Sequence, residues 1–546
     1  MESNEQTSAS KTPPRRRPRL SPPAYVLNKH DSRVLDPDQA VAFAGQTVRP
    51  TVYVGAELIA NYGAFTDEMR TALADAAGEK LKLEVTLPDE RMLEFAKRND
   101  IFELAQRVLT VRVKFVPADE NAPMMPPDAW TILQHYRSTV GRNSDAANAV
   151  TLNHLMMAAD IEGAPKMVGS GIDGAPKMVG SGAGGAPKMV GSGVSPANEY
   201  AFIGYGGRQP VDWIGPGPHR TSDAEVAMRS GRRPVVAVLD TGAGCHWWLP
   251  DDVVDRAPKA GSHFIGLTDP ATNPELTGIL GDPLEGMIDS DAGHGTFIAG
   301  LIRQTCPDAN ILAVRIMYGD GAVKEQDLLD ALNWLLLRHA AAQQSGDVSQ
   351  LIDVISMSIG YYHESPADVA FDQQLLLPLR ELTQRGVAVV AAAGNDATTR
   401  HFYPAGFAPH PASKLGIQHD AVPLVSVGAK NPNGKTTALF SNDGDWVVAQ
   451  RPGASVLSTL PTTFDGALDA TARLRIPGYG IRETIDPDDF RGGFAVWSGT
   501  SFATPILAGE IAQSLLEIGG LDKPDAESAL SRTWEAITAT TGLARP

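Results

Sequence analysis

Three short segments of this chain carry residue types that could together transfer an acyl group. Val238-Leu239-Asp240-Thr241-Gly242 ends an apolar run on an acid. Gly293-His294-Gly295-Thr296 places a histidine before an apolar stretch, and Ser498-Gly499-Thr500-Ser501-Phe502-Ala503-Thr504-Pro505 places a serine at the head of a helix. A serine hydroxyl is a weak nucleophile and needs a base within hydrogen-bond reach. Imidazole titrates near neutrality and can be that base. A carboxylate behind it would fix the imidazole tautomer and stabilise the imidazolium that forms. A serine at a helix start also has backbone N–H groups aimed at developing negative charge. Taken singly, each segment has an ordinary structural reading: Asp240 as a cap or turn, His294 as a turn or cap residue, Gly-Thr-Ser as a loop. Together they supply nucleophile, base and orienting acid.

The elements around these residues follow from their periodicity. RRPVVAVLD is a nearly continuous apolar strand of the kind found in a sheet buried on both faces. ILAVRIM, DVISMSIG and GVAVVAAAGN repeat that character, with helical stretches such as QDLLDALNWLLLRHAAAQQ and ADVAFDQQLLLPLRELTQRG between them. Strands alternating with helices predict an α/β fold, a parallel sheet with helices on both faces. Active residues gather at the carboxyl ends of the strands in such sheets.

The order Asp, His, Ser with these flanks resembles the subtilase family of serine proteases; DTG, HGT and GTSFATP are similar to its three signature segments. The likeness covers roughly residues 230–520. It implies a subtilisin-like fold and a serine endopeptidase that hydrolyses peptide bonds through an acyl-enzyme on Ser501, with His294 as base and Asp240 as its partner. Asn395, in Ala-Ala-Ala-Gly-Asn, reads from its residues alone as a cap or turn; the resemblance makes it the oxyanion-hole donor. The resemblance also assigns Ser356-Met357-Ser358-Ile359-Gly360 to the strand that pairs with substrate backbone. Ser358, Ile359 and Gly360, with Ala393 and Gly394, are then substrate-binding, and small apolar walls suggest an apolar or medium-sized side chain before the cut. Phe297 and Ile506 stand where the family commonly has histidine. Many members bind calcium, but no loop of spaced carboxylates stands out: no cofactor is required, no metal ligand is assigned, and calcium stays unassigned. Asp289 and Asp291 read as turn residues. Cys245 and His246, with Trp247 and Trp248 after them, read as a surface loop rather than a metal site.

Before this region lies a different texture. Residues 1–25, rich in Ser, Pro and Arg, read as a disordered basic tail. Residues 26–160 read as a small α/β or α+β domain, with strands in RPTVYVGAELIA, KLKLEVTL and LTVRVKFVP and helices at 66–79, 90–107 and from PPDAW onward. GAPKMVGSG then begins at Gly163, Gly174 and Gly185, an 11-residue period too rich in Gly and Pro for a coiled coil. This Gly/Pro-rich linker, 161–222, reads either as a plain spacer or as a set of processing sites, and the peptidase domain follows over 223–546. Two insertions, near 250–290 and 464–492, lie between site residues and predict restricted access.

Composition bounds the rest. Hydrophobic residues make up 43% and charged residues 20%, ordinary globular values. Lys+Arg total 47 against Asp+Glu 64, a net charge of −17, which argues against a nucleic-acid partner. No run of 18 apolar residues suggests a membrane span. Two cysteines make no disulfide framework, and with no signal peptide evident a cytoplasmic address follows by default, with non-classical export left open. The expected partners are a peptide or protein substrate and the chain's own N-terminal domain as an inhibitor. The rival readings are a specialised maturation protease or transpeptidase, and a non-catalytic scaffold of the same fold.

Overall fold

The computed structural model describes residues 22–43, 46–119, 126–142, 144–159, 200, 207–212, 214–365, 373–410 and 418–545. The tail up to residue 21 and all three repeats lie outside these residues. A short helix, Ala24–Lys29, already begins inside the segment read as tail, anchored by buried Val26. No helix among the described residues is long and apolar enough to cross a membrane.

The N-terminal unit is an antiparallel sheet. Its strands are β1 (Ser32–Val34), β2 (Val52–Asn61), β3 (Leu81–Thr86), β4 (Thr110–Pro117) and β5 (Val150–Ala158). Alternation along β2 sends Leu58 and Ala60 to one face, against Met69 and Leu73 of helix α1 (Asp67–Ala77) and Trp130 and Leu133 of α2 (Ala129–Val140). Ile59 points to the other face and shares a core with Leu328 and Leu332 of the peptidase region. The helix expected over 90–107 is two helices, Glu90–Arg98 and Phe102–Val108. The break follows from Asn99 capping the first and Asp100 taking the left-handed conformation at φ 58°, which short polar side chains tolerate.

The second sheet is parallel throughout. Its strands are β6 (Val235–Asp240), β7 (Val254–Asp255), β8 (Asn310–Arg315), β10 (Val354–Met357), β12 (Ala388–Ala392), β13 (Val425–Lys430) and β14 (Ala449–Pro452), in the order β14-β13-β12-β10-β6-β8-β7. Two further short strands, β9 (Ala322–Lys324) and β11 (Ile359–Gly360), leave it and pair with β5 of the N-terminal unit. Alternation in β6 fixes the layers. Val235, Ala237 and Leu239 pack with α4 (Glu325–Ser345) and α5 (Gln373–Gln384); Val236 and Val238 pack with α3 (His294–Thr305) and α6 (Thr500–Ile518). Helices therefore cover both faces, as the apolar strands require, and the fold is the expected subtilisin-like α/β architecture.

The boundary expected at residue 222 falls earlier. Gln209–Val211 pairs with Phe494–Trp497, so this stretch belongs to the second unit and not to a linker. The insertion at 464–492 carries an exposed hairpin, Arg473–Ile476 against Gly480–Glu483.

Candidate active site

Asp240 closes β6, in the middle of the parallel sheet, and is buried. Its Oδ1 accepts from the Thr241 N–H at 2.8 Å and lies 2.7 Å from His294 Nδ1. His294 is the first residue of α3 and follows Gly293, whose φ of 86° suits glycine. The next glycine is forced by contact: a Cβ on Gly295 would sit 2.1 Å from the Gly242 carbonyl oxygen. The helix start thus presses directly on the turn after Asp240. The His294 ring packs on Phe502 and Trp497, with centroids 5.3 and 5.7 Å away. Phe297 fills its position as core, 4.5 Å from Phe502.

Ser501 lies in the first turn of α6. Pro505 has no N–H, so the Ser501 carbonyl loses its helical donor. The Ser358 hydroxyl replaces it at 2.8 Å. The Ser358 carbonyl in turn accepts from Ser501 Oγ at 3.2 Å. Asn395 Oδ1 accepts from the Thr500 N–H at 3.0 Å and Oγ1 at 2.9 Å, which leaves Nδ2 buried with no hydrogen-bond partner. An orphan buried donor is costly and calls for a reason. Gly394, at φ 95°, bonds the Thr500 hydroxyl at 3.1 Å, and the Ala393 carbonyl accepts from Asn442 at 2.7 Å.

The end of β5 occupies the groove beside these groups. Ala158 pairs with Ile359 and Met157 with Gly360, antiparallel. The Ala159 N–H donates to the Ser358 carbonyl at 2.9 Å, and the Ala158 N–H to Gly321 at 2.8 Å. The Ala159 carbonyl accepts from the Ser501 N–H at 2.8 Å. Ser358, Ile359, Gly360 and Ser501 are therefore brought together around one peptide segment. Residues 150–159 carry none of the three signature segments, so the sequence reading passed over them.

Two other groups escaped it. Glu275 is buried and accepts from the hydroxyls of Thr241 and Thr296, the latter at 2.5 Å. It ties the residue after Asp240 to the second residue after His294, and burial pushes its pKa up. Arg208 is buried and donates to the carbonyls of Asp289, Ser290 and Ala292, at 3.1, 3.1 and 2.8 Å, bracing the approach to His294. Both come from segments with no motif. Asp289 accepts from the Leu280 and Gly281 N–H groups, a turn role. In the loop after Asp240, Cys245 is exposed, Trp247 is exposed and Trp248 is buried against Phe494. His246 accepts from the Trp248 N–H at 2.9 Å, and burial lowers its pKa to about 4. Among the described residues the grouping with metal-ligand chemistry is not here but at His401, His410 and Asp445.

The chain is 25% identical over 291 residues to an intracellular serine protease of Paenibacillus polymyxa, covering 52% of this chain and 66% of that one. It is 24% identical over 316 residues to serine protease AprX of Bacillus subtilis (strain 168), covering 53% and 58%. It thus spans less than two thirds of either relative's length. Among solved structures, fervidolysin from Fervidobacterium pennivorans, a keratinolytic enzyme related to subtilisin, aligns at 18% identity over 88% of this chain and 56% of that one, with a TM-score of 0.43. The profile described as the subtilase family matches residues 231–543. That match runs through all three segments and more than half of the sequence, and the chain belongs to the subtilase family.

Proposed function

We propose that this chain is a serine endopeptidase whose N-terminal unit is both its first substrate and its inhibitor. The observation that carries this reading is the seat of Ala159. Its carbonyl accepts from the Ser501 N–H while its own N–H donates to Ser358, the register of a bound peptide at the point of attack. Ser501 Oγ attacks the Ala159 carbonyl carbon and passes its proton to His294, whose Nδ1 is held by Asp240. The oxyanion is bound by the Ser501 N–H and Asn395 Nδ2, the orphan donor. Collapse expels the amine of Asp160, protonated by His294, and leaves the acyl group on Ser501. Water, activated by His294, then releases the Ala159 carboxylate. The N-terminal product stays in the groove through the β5–β11 and β5–β9 pairings and blocks it. The bond presented is Ala159–Asp160, just before the segment 161–222 that reads either as a plain spacer or as a set of processing sites. Ala159 before the cut favours a small apolar side chain there, in keeping with the small apolar residues Ile359, Gly360, Ala393 and Gly394 that the family resemblance assigns to that pocket.

The test pairs wild type with Ser501→Ala, using intact mass, N-terminal mapping and a fluorophosphonate label. The expected result is label on Ser501 and a new N-terminus at Asp160 in wild type only. A Ser501→Ala chain cut at the same bond and rate sinks the self-processing reading. A folded wild type that takes no label and cleaves no peptide after removal of the N-terminal unit sinks the enzymatic one.

A further inference from the structure

The loop that follows Asn395 carries a cluster the reaction does not use. His401, His410 and Asp445 each turn one ligand atom toward the others, all within 4.8 Å. The two imidazoles meet edge to face with centroids 4.8 Å apart, and His401 lies 5.5 Å from the Trp446 ring. Both histidines are half-buried and Asp445 is exposed, so one side of the cluster is open to water. His410 Nδ1 is shut off from solvent with no hydrogen-bond partner. A buried ring nitrogen without a partner, beside a second imidazole and a carboxylate, is a ligand set rather than a hydrogen-bonded network.

The donor chemistry selects the cation. Two imidazole nitrogens and one carboxylate oxygen suit zinc-type ions better than calcium, which takes six to eight oxygens. A tetrahedral zinc has ligand atoms about 3.3 Å apart at its usual bond lengths. The three atoms need to close by no more than about 1.5 Å, within the reach of small side-chain rotations. Water from the open side supplies the fourth ligand.

We propose that His401, His410 and Asp445 bind one divalent transition cation, zinc by preference, which pins the loop 396–410 to the turn between β13 and β14. That loop is not remote from the cleft. Phe402 follows His401, and its ring lies so close to Gly360 and Gly394 that a Cβ there would come within 2.5 and 3.1 Å of it. Tyr403 exchanges backbone hydrogen bonds with Tyr361 at 2.8 and 2.9 Å. The bound ion therefore stiffens the backing of the substrate strand and takes no part in the chemical step.

The test uses the untagged full-length chain carrying Ser501→Ala, stripped with chelator and titrated with Co(II), then displaced with Zn(II). One equivalent should bind with the visible bands of a four-coordinate N/O site, and zinc should raise Tm. Supporting-shell changes alone cost metal sites about 10–100-fold in affinity, so His401→Ala and His410→Ala should each cost at least about 100-fold, with Asp445→Asn in between. Far-UV circular dichroism checks the fold of each variant, and His410→Ala decides the matter if His401→Ala fails to fold. No binding to the folded chain, or cobalt bands and affinity unchanged in His410→Ala, overturns the proposal.

Discussion

At the scale of single residues, one oxygen each of Asp240 and Asn395 is fixed by hydrogen bonds within the site. Asp240 Oδ1 holds the Thr241 N–H and His294 Nδ1, and Asn395 Oδ1 holds Thr500, so these side chains cannot turn away. Asn395 Nδ2 is left over, and its orientation follows from the Thr500 donors alone. Asn395→Ala should therefore lower kcat by about 10²–10³-fold, the usual cost of one oxyanion donor, with little change in KM. Steady-state kinetics on a peptide substrate, with thermal unfolding alongside, separates this from a folding defect. An equal loss of stability and unchanged kcat would give Asn395 a purely structural role. Asp240, His294 and Ser501 stood out in the sequence as candidates because their flanking glycines and threonines recur as short motifs, and Gly295 has a fixed job against the Gly242 carbonyl. Glu275 was not legible. It sits in an insertion with no periodicity, and only the fold brings it to Thr241 and Thr296.

At the scale of elements, Glu275 staples two of them. It joins the turn after β6 to the first turn of α3 through the two threonine hydroxyls, and the Thr241 hydroxyl also accepts from the Gly295 N–H at 2.8 Å. Removing the carboxyl leaves the buried Thr296 hydroxyl without its acceptor and the Thr241 hydroxyl with only Asp240 Oδ1, at 3.1 Å. Glu275→Ala should cost about 1–3 kcal/mol in stability, read by urea unfolding of the Ser501→Ala chain, and Glu275→Gln should cost less. Because His294 and Asp240 ride on those elements, kcat of Glu275→Ala should fall as well; unaltered stability and turnover would remove the staple. Four strands of the parallel sheet, Val235–Asp240, Asn310–Arg315, Val354–Met357 and Ala388–Ala392, were read correctly since both of their faces are apolar; Val254–Asp255, Val425–Lys430 and Ala449–Pro452 were not read. The helix over 90–107 was not, because its amphipathic pattern runs through Asn99 and Asp100 without a gap, and the break depends on backbone geometry there.

At the scale of the whole molecule, β5 joins the two units through more than backbone pairing. His154, on β5, is buried with Nδ1 2.7 Å from Glu325 and Nε2 3.0 Å from Glu364, both in the second unit; His363 and Arg137 lie around the same carboxylates. Burial alone would lower the His154 pKa, but the Glu325 and then the Glu364 carboxylates outweigh it and hold it up to about 10. A histidine raised above its free value, about 6.5, stabilises the joined state fully below that pH and loses this contribution as pH climbs through its bound value. The cleaved N-terminal unit should thus hold on at neutral pH and let go progressively as pH rises from about 6.5 to about 10. Size-exclusion chromatography of the processed protein across that range measures it, and His154→Gln should flatten the profile. Retention that strengthens with rising pH would contradict the sign.

The sequence by itself determined the candidate residues Asp240, His294 and Ser501 and their order, the alternation of strand and helix, and the parallel sheet. These rest on local patterns, apolar periodicity and glycines at close approaches, which every chain segment carries within itself. Only the tertiary structure decided that Ala159 sits on Ser501, that Glu275 bridges Asp240 and His294 through their neighbours, and that His401, His410 and Asp445 face one another. Each of these is a meeting of segments far apart in the chain, fixed by strand register and by which faces bury apolar surface together. No local pattern encodes such a meeting, since the same residues in another register would touch nothing of the kind.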